Sequence, residues 1–105
     1  MTADIDILLG LDLGTTNCKA LAFDLDGRLV GSANAPTPTL PSTGRDDALY
    51  DATTLWQVSA RLIQQVNRQL KPNQRVGALA VASMAESGVL VDADGLPLTP
   101  AVGRG

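Results

Sequence analysis

The residues of this chain best suited to chemistry lie together in one short stretch, Leu8 to Asp24, LLGLDLGTTNCKALAFD. Apolar residues on either side read as two strands, with Gly14, Thr15, Thr16 and Asn17 as the tight turn between them. A turn of this composition suits a phosphate. Gly14 lets the backbone approach closely, and consecutive N–H groups can point into one concavity. The Thr15 and Thr16 hydroxyls add donors, and Lys19 adds a positive charge. Asp12, just before the turn, is placed to hold a magnesium ion directly or through water. This is not a Walker loop: G-x-x-x-x-G-K-[ST] is absent, and a strand rather than a helix follows. A phosphate would therefore sit in a hairpin turn and not at a helix N-terminus. Each residue also has a plainer reading. Asp12 could cap the following turn through its side chain. Lys19 could be a solvated strand residue, and Cys18 an inert packing residue.

Composition narrows the chemistry. The chain has 105 residues, enough for one small domain. It has no His, which excludes His-based triads, His-ligated zinc and His general bases. Any proton transfer falls to a carboxylate. Cys18 is the only cysteine, so no intrachain disulfide or thiolate metal cluster can form, consistent with a reducing cytoplasm. The formal charge of −3 provides no global basic field for nucleic acid or an anionic membrane. No apolar run reaches the length of a membrane span, and Asp4 and Asp6 stand where a signal peptide would be basic.

The positioning elements follow from periodicity and turn chemistry. Ile5 to Leu13 and Asn17 to Leu25 read as strands. Asp26-Gly27 is a two-residue hairpin signal leading to a third strand, Arg28 to Ala33, which completes an antiparallel meander. Residues 35–47, beginning APTPTLPST, are rich in Pro and Thr and read as a surface connector. Asp51 is an N-cap. Leu55, Val58, Leu62, Val66 and Leu70 then recur at helical spacing as far as Lys71-Pro72, with Trp56 and Ile63 widening the stripe. Trp56 is expected to anchor the helix on the sheet rather than stack on a ligand. Val76 to Ser83 reads as a buried, central strand. After the polar Ala85-Glu86-Ser87, a strand from Gly88 to Val91, an Asp94-Gly95 turn and a short strand from Leu96 to Leu98 make a final hairpin.

These stretches carry a resemblance. GLDLGTTNCKALAFDLDGRLV resembles the first phosphate motif of the actin-like ATPase superfamily, and the order meander, helix, strand resembles the start of its ribonuclease-H-like α/β core. VASMAESGVLVDADGLPLTPAV is similar to the FGGY family of carbohydrate kinases, in which a strand leads to a sugar-contacting segment, a D-x-x-G hairpin and Pro-Ala-[IV]. Leu55-Trp56 near the helix start also fits, and the resemblance runs from Ile7 to Val102.

The resemblance implies transfer of a phosphoryl group from ATP to a sugar or polyol hydroxyl, with magnesium. Asp12 matches the aspartate that organises metal and phosphates. Gly14, Thr15 and Thr16, with Asn17 closing the turn, match the segment that holds the β- and γ-phosphates. Lys19 matches a position that is basic in glycerol kinases. Glu86 matches their sugar-contacting glutamate, although Ala85 stands where they carry arginine. Xylulose kinases have Gln-Met-His-Gly in this segment, so Ala85, Glu86 and Ser87 depart from both patterns. The plainer reading of Glu86 is a surface turn.

The family's kinases are several times longer than this chain. Their catalytic aspartate, second phosphate motif and adenosine pocket match nothing before residue 105, so no residue here is assigned as catalytic. After Pro-Ala-[IV] the family continues Trp-x-Asp-x-Arg, whereas Gly103-Arg104-Gly105 stands here, which reads as a truncation. The expectation is an N-terminal segment of the first kinase domain, residues 1–105, that carries half a nucleotide site and is inactive alone. It would expose apolar sheet faces and an unpaired edge, and so self-associate. The alternatives are a non-catalytic phosphate- or nucleotide-binding module and an oligomerisation module, each derived from a sugar kinase.

Overall fold

Alternation along IDILLGLDL decides how the layers are arranged. Ile7, Leu9 and Leu11 are buried on one face of the strand, while Leu8 and Asp12 are exposed on the other. The computed structural model describes residues 4–41, 47–84 and 87–104. Its elements are β1 (Ile5–Leu13), β2 (Asn17–Phe23), β3 (Leu29–Pro36), β4 (Asp47–Tyr50), α1 (Ala52–Gln69), β5 (Gln74–Ser83) and β6 (Ala101–Arg104). The main sheet has the order β3-β2-β1-β5, with β1 antiparallel to β2 and parallel to β5. β4 and β6 pair antiparallel in a second, two-stranded sheet.

Helix α1 covers one face of the main sheet. It lies over β2 and β3 and touches β1 less. Leu62 and Val66 are buried against Ile7, Leu9, Leu11, Cys18, Ala20 and Ala22. Burying a large aliphatic side chain contributes about 1.5–3 kcal/mol, so this stripe is the main hydrophobic source of stability. The small residues of β2 and β3 let the helix come close. A Cβ on Gly31 would lie 3.3 Å from Gln69 Oε1 and 3.4 Å from Val66 Cγ1. The Gln69 amide also pairs with the free side of β3: Oε1 accepts the Ser32 N–H at 2.9 Å and Nε2 donates to the Ser32 carbonyl at 2.8 Å. One side chain thus occupies an edge that would otherwise offer unpaired backbone groups.

The structure departs from the sequence reading at several points. The third strand runs on to Pro36, with Ala35 opposite Cys18 and Pro36 opposite Asn17. Proline is tolerated there because β3 is an edge strand. The first hairpin has a three-residue loop, not a two-residue one. The Asp24 N–H donates to the Arg28 carbonyl at 2.9 Å, and Asp24 Oδ1 accepts the N–H groups of Asp26 and Arg28. Gly27, at φ 83°, takes the left-handed position of that loop. The Asp92–Leu96 turn repeats this pattern bond for bond, with Gly95 at φ 80°. Its flanks join through the single bridge Val91–Pro97 rather than through two strands. β4 begins at the last residue of the stretch read as connector and takes in residues up to Tyr50 that the sequence reading assigns to no element, and β6 comes from the stretch read as tail. β5 lies at the sheet edge and not at its centre: Leu79 is 53% and Val81 58% exposed, because α1 does not reach that side. Trp56 is 71% exposed for the same reason and is not a core anchor.

The helix begins where expected. Asp51 is the N-cap of α1, its Oδ1 accepting the Thr53 N–H at 3.1 Å and its Oδ2 the Thr54 hydroxyl at 2.8 Å. These bonds, the Thr54 hydroxyl foremost, hold the Asp51 carboxyl below the ordinary aspartate value. Folding therefore favours the ionised form. Its contribution is complete above the unfolded value, about 3.9, and is lost as pH falls below that. Urea melts across pH should show a smaller acid limb in Asp51→Asn, which still caps, and lower stability at neutral pH in Asp51→Ala. An acid limb untouched by Asp51→Asn would show that the cap does not depend on charge.

Candidate functional site

The turn between β1 and β2 has Thr15 and Thr16 at its tip. It is closed by a hydrogen bond from the Gly14 N–H to the Asn17 carbonyl at 2.9 Å. The glycine is required by space rather than by backbone angle. A Cβ at Gly14 would lie 2.7 Å from the Asn17 carbonyl oxygen, nearer than atoms tolerate. Thr15, Thr16 and Asn17 are exposed, and the N–H groups of Thr15 and Thr16 have no acceptor among the described residues. Two backbone donors and two hydroxyls therefore face solvent on one tight turn.

Asp12 and Lys19 flank this turn as direct cross-strand partners, so their side chains leave the same face of the sheet, opposite α1. Both are exposed. They form no ion pair with each other; among the described residues the ion pairs are those of Arg75 with Asp4 and Asp6. No hydrogen bond from the turn reaches the Asp12 carboxylate among the described residues, so the capping role open to it in the sequence is not taken up. Next to Asp12 the open face is lined by Gly10, Ala80 and Ala82, small residues that with Leu21 leave a shallow groove of about 250 Å³.

The parallel pairing of β1 with β5 decides what else lies near. Asp12 is in register with Ala82 and Leu13 with Ser83, and the Met84 N–H donates to the Leu13 carbonyl at 3.1 Å. The segments leaving β1 and β5 thus emerge side by side from the C-terminal ends of the two strands, the end at which parallel sheets bind ligands. A cleft of about 240 Å³ opens there, walled by Leu13, Tyr50, Leu55, Ser83, Met84, Ser87 and Ala101. Ala85 and Glu86 lie outside the described residues, so their relation to this cleft is not described. The site residues brought together are Asp12, Gly14, Thr15, Thr16, Asn17 and Lys19.

Thr37 was not singled out by the sequence. It is only 7% exposed, within the Pro- and Thr-rich stretch read as a surface loop. Its hydroxyl donates to the Gly14 carbonyl at 2.6 Å and lies 3.4 Å from Cys18 Sγ, while its N–H donates to the Thr16 carbonyl at 2.9 Å. The one available signal was its place between Pro36 and Pro38, where a lone backbone donor has few other uses.

Residues 7–103 match the model of the FGGY family of carbohydrate kinases, N-terminal domain. The chain belongs to the FGGY family of carbohydrate kinases. It is similar to the autoinducer-2 kinase of Yersinia pestis (strain Pestoides F), with 34% identity over 99 residues, which is 89% of this chain and 18% of that kinase. Among solved structures it resembles the xylulose kinase from Rhodospirillum rubrum, with a TM-score of 0.85 and 27% identity over 94% of this chain and 21% of that one. The fold also matches the Plasmodium falciparum glycerol kinase with ADP, with a TM-score of 0.81 and 16% identity over 98% of this chain and 21% of that chain. This FGGY chain thus spans about a fifth of the length of the proteins it matches. Its α/β architecture is that of the sugar kinases, as the sequence resemblance implied.

The tight Gly14–Asn17 contact in this FGGY turn has a direct consequence. Gly14→Ala must open the turn, and forced overpacking of this kind costs about 1–3 kcal/mol. Urea denaturation should show that loss, and amide spectra should show shifts concentrated at residues 14–17. A variant as stable as the parent would mean that the turn has slack.

Proposed function

We propose that this chain provides the phosphate-binding half of an ATP-dependent kinase acting on a sugar or polyol hydroxyl. The observation that carries the reading is the exposed Thr15-Thr16 turn, its N–H groups without acceptors among the described residues, beside Asp12 and Lys19 on one sheet face. Phosphoryl transfer needs positioning and charge neutralisation more than covalent chemistry, and this turn is built for both. Gly14, Thr15, Thr16 and Asn17 hold the β- and γ-phosphates of ATP. Lys19 approaches the phosphoryl group being transferred.

Magnesium fits the residues present. Among the described residues no group of three or more His, Cys, Asp or Glu forms a metal cage. Magnesium in nucleotide sites asks for less: one or two carboxylates, several waters and the phosphates themselves. Asp12, exposed and without an ion pair among the described residues, supplies that one carboxylate. Bound there, magnesium neutralises charge on the phosphates. The acceptor sugar is bound by the segment that follows β5 in sequence, with Glu86 accepting hydrogen bonds from its hydroxyls and Ala85 in place of the arginine of glycerol kinases. No carboxylate of this chain is assigned as the base, so the chain by itself binds nucleotide without turnover. The setting is the cytoplasm, which holds Mg-ATP and keeps Cys18 reduced. Among the described residues no helix is long and apolar enough to cross a membrane.

Thermal melting with and without Mg-ATP tests the reading, on this chain and on Asp12→Ala. Nucleotide at ten times its Kd stabilises the folded state by about 1.4 kcal/mol, a rise of several degrees in Tm. The rise should disappear in Asp12→Ala. No rise at millimolar Mg-ATP in the parent chain would overturn the proposal.

The exposed β5 edge supports a second role, self-association. It is ten residues long and carries neither proline nor charge from Val76 to Ser83, so it lacks the usual defences of an edge strand. The partner proposed is a second copy of this chain, paired along β5. Light scattering should show a dimer, and Val81→Lys should return it to a monomer. A strictly monomeric parent at high concentration would exclude this role and leave the phosphate site untouched.

A further inference from the structure

Among the described residues, the bonds of Thr37 all end on the Thr15-Thr16 turn or directly beneath it. Its hydroxyl takes the Gly14 carbonyl, its N–H takes the Thr16 carbonyl, and Cys18 Sγ packs against the same hydroxyl. A trans peptide unit is planar, with its C=O and N–H pointing in opposite directions. Pulling the Gly14 carbonyl onto Thr37 therefore turns the Thr15 N–H away from Thr37. Pulling the Thr16 carbonyl onto the Thr37 N–H turns the Asn17 N–H away in the same manner. Two peptide planes of the turn are thus oriented by one buried residue.

The brace itself is stiff. Pro36 and Pro38 have fixed φ and no N–H, and Pro38 restricts Thr37 to extended conformations. Thr37 carries the only backbone donor in Pro36-Thr37-Pro38, and that donor is used on the turn. Pro36 is in turn held in β3 opposite Asn17. The brace is therefore fastened to the sheet that carries Asp12 and Lys19.

We propose that Thr37 is a positioning residue for phosphate: it fixes the Gly14–Thr15 and Thr16–Asn17 peptide planes so that the Thr15 and Asn17 N–H groups face the ligand before it arrives. The proposal rests on the phosphate reading given above. Donors aimed in advance need no reorganisation when negative charge reaches them, which is where preorganised sites gain affinity. Thr37 touches no phosphate itself. Its effect passes through the backbone of the turn.

The test uses this chain and Mg-ATP, with amide NMR titration giving both affinity and local structure. Thr37→Val keeps the shape and loses the hydroxyl, whereas Thr37→Ser keeps the hydroxyl. Loss of one neutral hydrogen bond should weaken Mg-ATP binding by about tenfold in Thr37→Val. Thr37→Ser should return it to near the parent value. A merely structural residue would change the stability of both variants and leave the Kd of the folded chain alone. The parent chain gives an independent readout. Its Thr37 N–H should resist hydrogen exchange, while the Thr15 and Asn17 N–H groups exchange fast and become protected when Mg-ATP is added. Parent affinity in Thr37→Val, no recovery in Thr37→Ser, or fast exchange at Thr37 would each overturn the inference while the phosphate reading stands. No response of the parent chain to Mg-ATP would overturn that reading and the inference with it.

Discussion

Leu11 and Leu13 of β1 lie in register with Val81 and Ser83 of β5, and because that pairing is parallel the chain between them must return across one face of the sheet. That return includes α1. With the helix on one face, Ile7, Leu9 and Leu11 become core, and Leu8, Gly10 and Asp12 become the open face. The same pairing brings the C-terminal ends of β1 and β5 together, so the Thr15-Thr16 turn and the segment after Ser83 leave the sheet as neighbours. A single register choice thus separates the stabilising face from the face proposed to bind ligand. A slip of one residue in β1 would exchange Leu11 for Asp12 on the helix side and destroy both.

At the margins of this sheet, side chains complete what the backbone leaves unpaired. Gln69 pairs with both backbone groups of Ser32 on the outer edge of β3. Asp24 and Asp92 each close a turn by accepting two backbone N–H groups with one carboxylate oxygen. Thr37 supplies the donor for the Gly14 carbonyl. The pattern is economical because each group is intramolecular and already ordered by a neighbouring element. The contrast is β5, whose outer edge and helix-side face have no such cover among the described residues. Stability is correspondingly uneven: deep under Leu62 and Val66, thin along Val76 to Ser83.

Much of this was legible in the sequence, and the failures share a cause. The meander, the helix and its Asp51 cap, and the Asp-Gly turns are local: residue type at fixed spacing decides them. The tight turn between β1 and β2 was legible because Gly14 and two threonines are an unusual way to join two apolar strands. Trp56 and the run from Val76 to Val81 were misplaced because an apolar pattern states which face wants cover, not whether a layer is present to give it. Thr37 was missed because its role is defined by Gly14 and Thr16, more than twenty residues away in sequence, and its proline neighbours suggested only a loop. β4 and β6 are four residues each and exist through pairing with one another, which periodicity cannot reveal in so short a stretch.

The charges of the proposed site follow a similar local logic. Asp12 and Lys19 are placed to pair across the strands, and an exposed pair would gain about 0.2–1 kcal/mol by doing so. They remain apart. That small forgone gain leaves each charge free for a ligand that carries its complement: phosphate oxygens for Lys19, a phosphate-bound cation for Asp12. The chain as a whole, at −3, does not attract a polyphosphate. Charges farther away than the screening length, about 8 Å at physiological salt, contribute little. Recognition therefore falls on groups within reach of the turn: two free N–H donors, two hydroxyls, one lysine and one carboxylate. Of these, the Thr15 N–H has its direction fixed before binding, because the Gly14 carbonyl of the same peptide is held by Thr37. Its aim is set by what holds the backbone, which makes the buried support under the turn as consequential as the exposed residues on it.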